Sequence, residues 1–197
     1  MILLERNEHY RPRAVIPRVE ILLAENDEAA LAMLSKQRPD LFVFLRWTLR
    51  DRVAREKAPE HRLVSVDGLG VFYVVFNVRP ENPGGKGRNP LADKRVRRAL
   101  ALATDSSEVV REGIEGGGHV ATQPVVPQIF GFDPSIAPAA YDPAAARRLL
   151  AAAGHPTLEI PLLVLKTRLH TVEDALVRQW ARAGIRTSLE ILDPEPF

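Results

Sequence analysis

The sequence has no cysteine. That absence removes thiol catalysis, disulfide staples and Cys-ligated zinc together. A chain without thiols suits an oxidising or a reducing compartment equally, so it says nothing about location. Charge of one sign is scarce too. Lys and Arg number 27 against 25 Asp and Glu, a net charge of +2, with both signs spread along the chain. Nucleic-acid binders concentrate positive charge on one face, so that class is disfavoured. No apolar run approaches the roughly 20 residues of a membrane-spanning helix. The N-terminal MILLERNEHYRPRA is no signal peptide, because its apolar run is short and charged residues follow at once. The expectation is either a cytoplasmic protein or a chain cut from a longer precursor.

Catalytic spacing is missing as well. His9, His61, His119, His155 and His170 stand apart, with no HExxH and no pair at ligand spacing. None of the serines sits in a GxSxG elbow. No phosphate-binding glycine motif follows a strand, and GGKGRNP lies in a Pro-rich loop without the helix a phosphate cradle needs. The chain is therefore expected not to be an enzyme and to carry no cofactor or metal.

What is present is patterned. With 197 residues and 46% apolar content, the chain makes one largish domain or two small ones with a real core. RVEILLA (18–24) reads as a buried strand, ENDEAALAMLSKQ (25–37) as a helix capped by Asn26 or Asp27, and DLFVFL (40–45) as a second strand. That order is a βαβ unit on a parallel sheet. HRLVSVDG and VFYVVFNV, on either side of Gly68 and Gly70, read as two more strands, the second apolar enough to be central and covered on both faces. A Pro- and Gly-rich loop (79–90) follows. A helix then starts at Asp93, with Val96, Ala99, Leu100 and Ala103 on one stripe and Lys94, Arg95 and Arg98 mostly off it. Asp105 caps another helix with Glu108 in a capping box, and the glycines at 116–118 end it. Residues 119–138 form a long Pro-rich loop. Asp142 and Pro143 open a helix with Ala146, Leu149, Leu150 and Ala153 buried, closed by Gly154. LEIPLLVL, a helix over 171–183 closed by Gly184, and TSLEIL complete a second βαβ unit. On that helix Val172, Leu176 and Trp180 share the core stripe. The fold class is α/β with a mostly buried sheet.

Ligands of α/β sheets sit beyond the carboxyl ends of strands. The loops there are 44–50, 77–82, 119–129 and 166–170, and Trp47, Tyr73, Gln123, Lys166 and Arg168 are the candidate ligand-binding set. Trp47 serves equally well as core, and Arg168 as plain surface charge. The cluster Lys94, Arg95, Arg97 and Arg98 has two readings, a phosphate or DNA contact and a solvated helix face whose stems cover apolar surface. The second is preferred, with Asp93 offsetting the cations that oppose the helix dipole.

Read in order, the segments resemble one family. LLERNEHY is similar to its L-x-R-N-x-x-Y, and VEILLAENDEAALAMLSKQRPDL to its strand, helix and G-x-x-D unit. YVVFNVRPENPGGKGRNPLADKRVRRALALATDSSEVV resembles FN…P…D-x-R-V-R-x-A-L-x-x-A-(I)-D-R-x-x-(I/L). GGGHVATQPVVPQIFGFDPSIAPAAYDPAAARRLLAAAG is similar to G…A…P-x-P…G-Y-x-P…Y-D-P-x-x-A-(K/R)-x-L-L-x-x-A-G. LVRQWARAGIRTSLEILDPEPF resembles Q-x-x-W-x-x-(I/A)-G-I-x-V…(D/E)-x-x-x-F. The family is the extracellular solute-binding proteins of ABC importers, of the dipeptide, oligopeptide and nickel type. Gln37-Arg38-Pro39, Arg11 and Thr104 depart from its pattern, Thr104 standing where an Ile commonly precedes the Asp.

The resemblance covers the chain collinearly and implies a periplasmic-binding-protein type II lobe with a mixed, mostly parallel sheet flanked by helices. Residues 1–197 would form a single α/β lobe, the C-terminal lobe of a two-lobed receptor whose N-terminal lobe and hinge return are missing. It implies peptide or another small solute as ligand, ABC permease subunits as partners, no nucleic acid, and a periplasmic or extracellular, membrane-associated full-length protein. The basic residue for a peptide carboxylate falls at Arg168 or Lys166. The segment implied to grip the peptide amino group lies downstream of this sequence, so no residue is assigned to it. The alternative is a cytoplasmic ligand-sensing regulator with a similar lobe and a nucleic-acid-binding helix face. An electrophoretic shift assay with random duplex DNA at physiological salt is expected to show no retarded band, and a clear shift would make the basic helix a nucleic-acid contact.

Overall fold

The computed structural model describes residues 1–12, 14–36, 39–43, 49, 53, 62–81, 87–166 and 171–193. The chain divides into two units, residues 1–61 and 62–197.

In the first unit, β1 (Ile2–Glu5) pairs antiparallel with β2 (Arg18–Ile21), Ile2 opposite Ile21 and Glu5 opposite Arg18. The Arg6 N–H donates to the Pro17 carbonyl and extends the ladder by one bond. Helix α1 (Asp27–Lys36) follows. Asn26 is its cap, the side-chain oxygen accepting the Ala29 N–H at 2.9 Å. The expected parallel βαβ unit is therefore corrected. The strand at 18–21 takes the N-terminal segment as an antiparallel partner, it is exposed on both faces, and residues 40–43 carry no strand. Apolar periodicity marks a segment that can be extended, but the partner and its direction are set by chain geometry elsewhere.

The second unit holds the core. Asn89 caps a short 3-10 turn (Pro90–Ala92) and leads into α2 (Lys94–Leu102), which Asp93 caps through the Arg95 N–H at 2.7 Å. Helix α3 (Ser106–Gly113) is capped by Asp105, whose carboxylate accepts the N–H groups of Ser107 and Glu108. Helix α4 (Pro143–Ala152) is capped by Asp142 through the Ala145 N–H. Strand β3 (Leu158–Leu165), helix α5 (Thr171–Arg182) and strand β4 (Ile185–Leu192) form the expected βαβ unit. The two strands are parallel, from Leu158 opposite Ile185 to Leu165 opposite Leu192.

Packing follows the sequence stripes. Helix α2 lies on α4, α3 on α5, and α5 on β4. Val96, Ala99, Leu100 and Ala103 are buried with Ala146, Leu150, Leu176, Trp180 and Ile185 in one cluster, and Leu149, Ala153 and Val172 pack against it. Burying a Leu or Ile side chain completely is worth about 1.5–3 kcal/mol. Gly113 is buried where α3 meets α5, and an added Cβ would stand 2.9 Å from the Cα of Val172. Only glycine lets the two backbones approach that closely. Gly116, at φ 70°, donates its N–H to the Val110 carbonyl and closes α3 as expected of its glycines.

Two expectations fail here. Residues 62–78 form no ladder, and Val66, Phe72, Tyr73 and Val75 are largely exposed instead of lining a central strand. A run of β-formers becomes a strand only where a neighbouring strand supplies a hydrogen-bonded ladder, and no strand among the described residues pairs with this run. Only Phe76 in this run turns onto the core cluster. The capping box is also incomplete. Glu108 does not return to the Asp105 N–H, which donates to the buried Gln179 side chain at 2.8 Å. Glu108 instead accepts from Arg182, and Glu112 from Arg178, an antiparallel pair of ionic contacts along α3 and α5.

Gln179 also donates to the Asp105 carbonyl, at 3.2 Å, so one amide meets both backbone groups of the residue. Gln179→Ala would orphan the Asp105 N–H, whereas the carbonyl keeps the Val109 N–H. The expected cost is about 1–3 kcal/mol in urea unfolding, and a loss under about 0.5 kcal/mol would show that water replaces the amide there.

Candidate functional site

The carboxyl ends of a parallel strand pair are where backbone groups, side chains and loops converge in this fold class. Here β3 ends at Leu165 and β4 at Leu192. The Lys166 N–H donates to the Leu192 carbonyl at 2.9 Å, carrying the ladder one step past the strands. The Lys166 Nζ lies 2.9 Å from Asp193 Oδ1, so the two strand ends carry a cation and an anion side by side. Both side chains are more than half exposed, which leaves the pair open to exchange with a charged ligand. Helix α5 opens just beyond, with Glu173 and Asp174 in its first turn. Asp193 was not among the expected site residues, although it stands at the first position of the D-x-x-x-F pattern.

The long loop after α3 is built rather than loose. The Gln123 Nε2 donates to the Asp133 carbonyl at 2.8 Å, and the Asp133 N–H donates back to Gln123 Oε1 at 3.1 Å. This two-point clasp brings together residues ten apart. The Asp133 carboxylate in turn accepts from the Ser135 hydroxyl and N–H, and the hydroxyl bond chiefly holds its pKa below the usual carboxylate range. Further turns close from Ile129 to Val126 and from Phe132 to Ile129. The loop presents Phe130 fully to solvent.

A second polar knot joins residues 77–80 to the start of α2. The buried Asn89 donates through Nδ2 to the carbonyls of Asn77 and Arg79, accepts the Leu91 N–H, and its backbone N–H reaches the Pro80 carbonyl. All its hydrogen-bonding groups are engaged in structure. His119 approaches Asp67 at 3.2 Å, linking the loop to residues 62–78 at an exposed point.

Of the five expected ligand residues, Lys166 stands at the strand ends. Tyr73 lies in the unpaired run 62–78, three-quarters exposed. Gln123 is half-buried, its amide committed to Asp133. Trp47 and Arg168 lie outside the described residues. No hydrogen bond or ion pair joins Lys166, Tyr73 and Gln123 to one another.

The basic cluster has structural partners. The Arg95 guanidinium contacts Asp93 at 2.7 Å and donates to the last carbonyl of α4, Ala152, at 2.8 Å. Hydrogen bonds from Arg95 bring the Asp93 pKa down to about 2. Arg97 donates to the carbonyls of Leu91 and Ala92.

The chain belongs to the bacterial extracellular solute-binding proteins, family 5, which it matches over residues 1–197. It is similar to Heme-binding protein A of Haemophilus influenzae, 24% identical over 187 residues, 91% of this chain and 32% of that protein. It is also similar to Di/tripeptide-binding protein 1 of Pseudomonas aeruginosa, 26% identical over 176 residues, 86% of this chain and 31% of the relative. The fold matches that of the periplasmic binding protein DppA from Helicobacter pylori in complex with peptide STSA, with a TM-score of 0.69 and 20% identity over 97% of this chain and 36% of that one. The fold is thus of the type II periplasmic-binding-protein class, and the chain spans about a third of the length of the relatives it matches.

Gln123→Ala removes both arms of the loop clasp. Amide exchange at Asp133 is expected to quicken about tenfold, with global stability little changed. Unchanged exchange would mean the turns at Ile129 and Phe132 hold the loop unaided.

Proposed function

We infer that the chain is part of the solute-capturing receptor of an ABC importer and that its ligand is a short peptide. The observation that carries this reading is the family match across residues 1–197. A relative named for di- and tripeptides and a similar fold holding a tetrapeptide support the ligand class. Because the chain spans about a third of its relatives, we read it as one lobe, the C-terminal one, whose partner lobe supplies the rest of the cleft. The receptor works outside the cytoplasmic membrane and hands its cargo to permease subunits. It makes and breaks no covalent bond and needs no cofactor or nucleic acid. Ligand would act by stabilising a hinge-closed state through contacts that the open state lacks.

In this reading Lys166 and Arg168, at and just beyond the end of β3, receive the peptide carboxylate. Lys166 exchanges Asp193 for the ligand, at small cost because the exposed pair is weakly bound. Tyr73 would supply apolar contact, and Gln123 would hold the loop after α3 through Asp133.

One lobe offers half the interface, so binding is expected to be weak. Calorimetry with mixed di- and tripeptides should show no low-micromolar association. Amide spectra at high peptide concentration should shift at Lys166 and Asp193. Tight peptide binding would overturn the half-site reading, shifts elsewhere would overturn the site, and binding of haem without any response to peptide would overturn the ligand class.

A further inference from the structure

The outer edge of β4 is a complete, unpaired strand edge among the described residues. The Leu158 N–H donates to the Gly184 carbonyl and the Lys166 N–H to the Leu192 carbonyl. In a parallel ladder this alternation turns the backbone of Arg186, Ser188 and Glu190 towards β3. The N–H and C=O groups of Ile185, Thr187, Leu189 and Ile191 then face away from it. The free edge of β3 differs. There the outward residues are Glu159, Pro161, Leu163 and Leu165, and Pro161 has no N–H to give. Of the two edges of this ladder, only that of β4 has an N–H at every outward position.

We propose that the β4 edge pairs antiparallel with the β4 edge of a second copy of this chain, across a two-fold axis at Ser188. The charges select the occupant. Arg186 and Glu190 are exposed, lie on one face of the strand, and have no ion-pair partner among the described residues. Centred on Ser188, the axis sets Arg186 opposite Glu190 of the other copy, and Glu190 opposite its Arg186. These are non-hydrogen-bonded positions, where facing side chains come closest. The hydrogen-bonded positions become Thr187 opposite Leu189 and Ile185 opposite Ile191, all of which turn their backbone outward. Axes at Thr187 or Leu189 also satisfy the backbone, but they set Arg186 opposite Ser188 or Leu192 and lose both ion pairs. One register therefore satisfies hydrogen bonds and charge together, as a self-complementary two-fold interface requires.

The other face of the strand agrees. A shallow groove beside β4 is lined by Val177 and Ala181 of α5 with Ile185 and Thr187. The Thr187 hydroxyl is buried there without a hydrogen-bond partner. The two-fold brings the Ile191 side chain of the second copy, more than half exposed in one chain, alongside Ile185 over this groove. A bare edge of this length is otherwise an open template for wrong partners.

The test is sedimentation velocity of the 197-residue chain across a concentration series. A concentration-dependent dimer is expected, weak because a strand pair buries little area. Arg186→Glu alone and Glu190→Arg alone place like charges opposite one another twice per interface, and each should weaken dimerisation about tenfold or more. Arg186→Glu with Glu190→Arg restores the pairing with charges exchanged and should recover the dimer. Circular dichroism checks that each variant folds, which exposed positions permit. A monomer at all concentrations overturns the proposal. So does a dimer indifferent to the single reversals, or one that the double exchange fails to restore.

Discussion

One buried side-chain amide holds the larger unit together. The corner between α2 and α3 turns at Thr104 and Asp105, where the chain changes direction and the Asp105 N–H has no helical partner. Gln179, on the middle of α5, accepts that N–H and donates to the carbonyl of the same residue. Beside it the Trp180 Nε1–H donates to Thr104 Oγ1, and the Thr104 hydroxyl donates to the Leu100 carbonyl. Two neighbouring residues of one helix thus bind two neighbouring residues of a corner more than seventy positions earlier. The apolar cluster supplies most of the free energy, but it is non-directional. The amide and the indole say where on α5 the corner must sit. Thr104 departs from the family pattern at this point, and the Trp180 hydrogen bond gives the departure a physical reason. An isoleucine there would leave a buried indole N–H without an acceptor.

Once the corner is fixed, the charges around it become structural. Glu108 and Glu112 on α3 face Arg182 and Arg178 on α5. Arg147 of α4 donates to the Arg182 carbonyl at the end of α5, as Arg95 of α2 does at the end of α4. A guanidinium at a helix carboxyl end satisfies an orphan carbonyl and the dipole together. Two of the four basic residues at the start of α2 are thereby accounted for. Arg95 serves Asp93 and Ala152, and Arg97 serves the preceding turn.

The helices and the last βαβ unit were legible in the sequence because their signals are local. Asp93, Asp105 and Asp142 each precede an apolar stripe of helical period, and each is found capping. Gly154 and Gly184 sit past the last helical residue with positive φ. The strands of residues 1–78 were not legible in the same way. RVEI reads as extended, and it is, but nothing in it names Ile2–Glu5 as partner or antiparallel as direction. VFYVVFNV has the composition of a buried strand and lies exposed, because burial and pairing depend on chain elements that are distant. The site shows the same division. Lys166 could be placed from the end of β3, whereas the commitment of Gln123 to Asp133 is a contact across ten residues of irregular loop that no periodicity marks.

In the proposed receptor, the strand ends would supply only part of the ligand contact. Lys166 and Asp193 neutralise one another at the surface, and a mostly exposed ion pair of this kind contributes little stability. A ligand carboxylate that replaces Asp193 meets the same cation in much the same dielectric, so on this lobe alone the exchange gains little. Desolvation by a facing lobe changes that balance, since a charge–charge contact strengthens severalfold as water leaves. Affinity in the proposed receptor would then reside in closure rather than in the Lys166 contact. The lobe's part would be to keep that cation at a fixed height on a rigid strand pair, which the Lys166 to Leu192 bond and the packing of α5 on β4 accomplish before any ligand arrives.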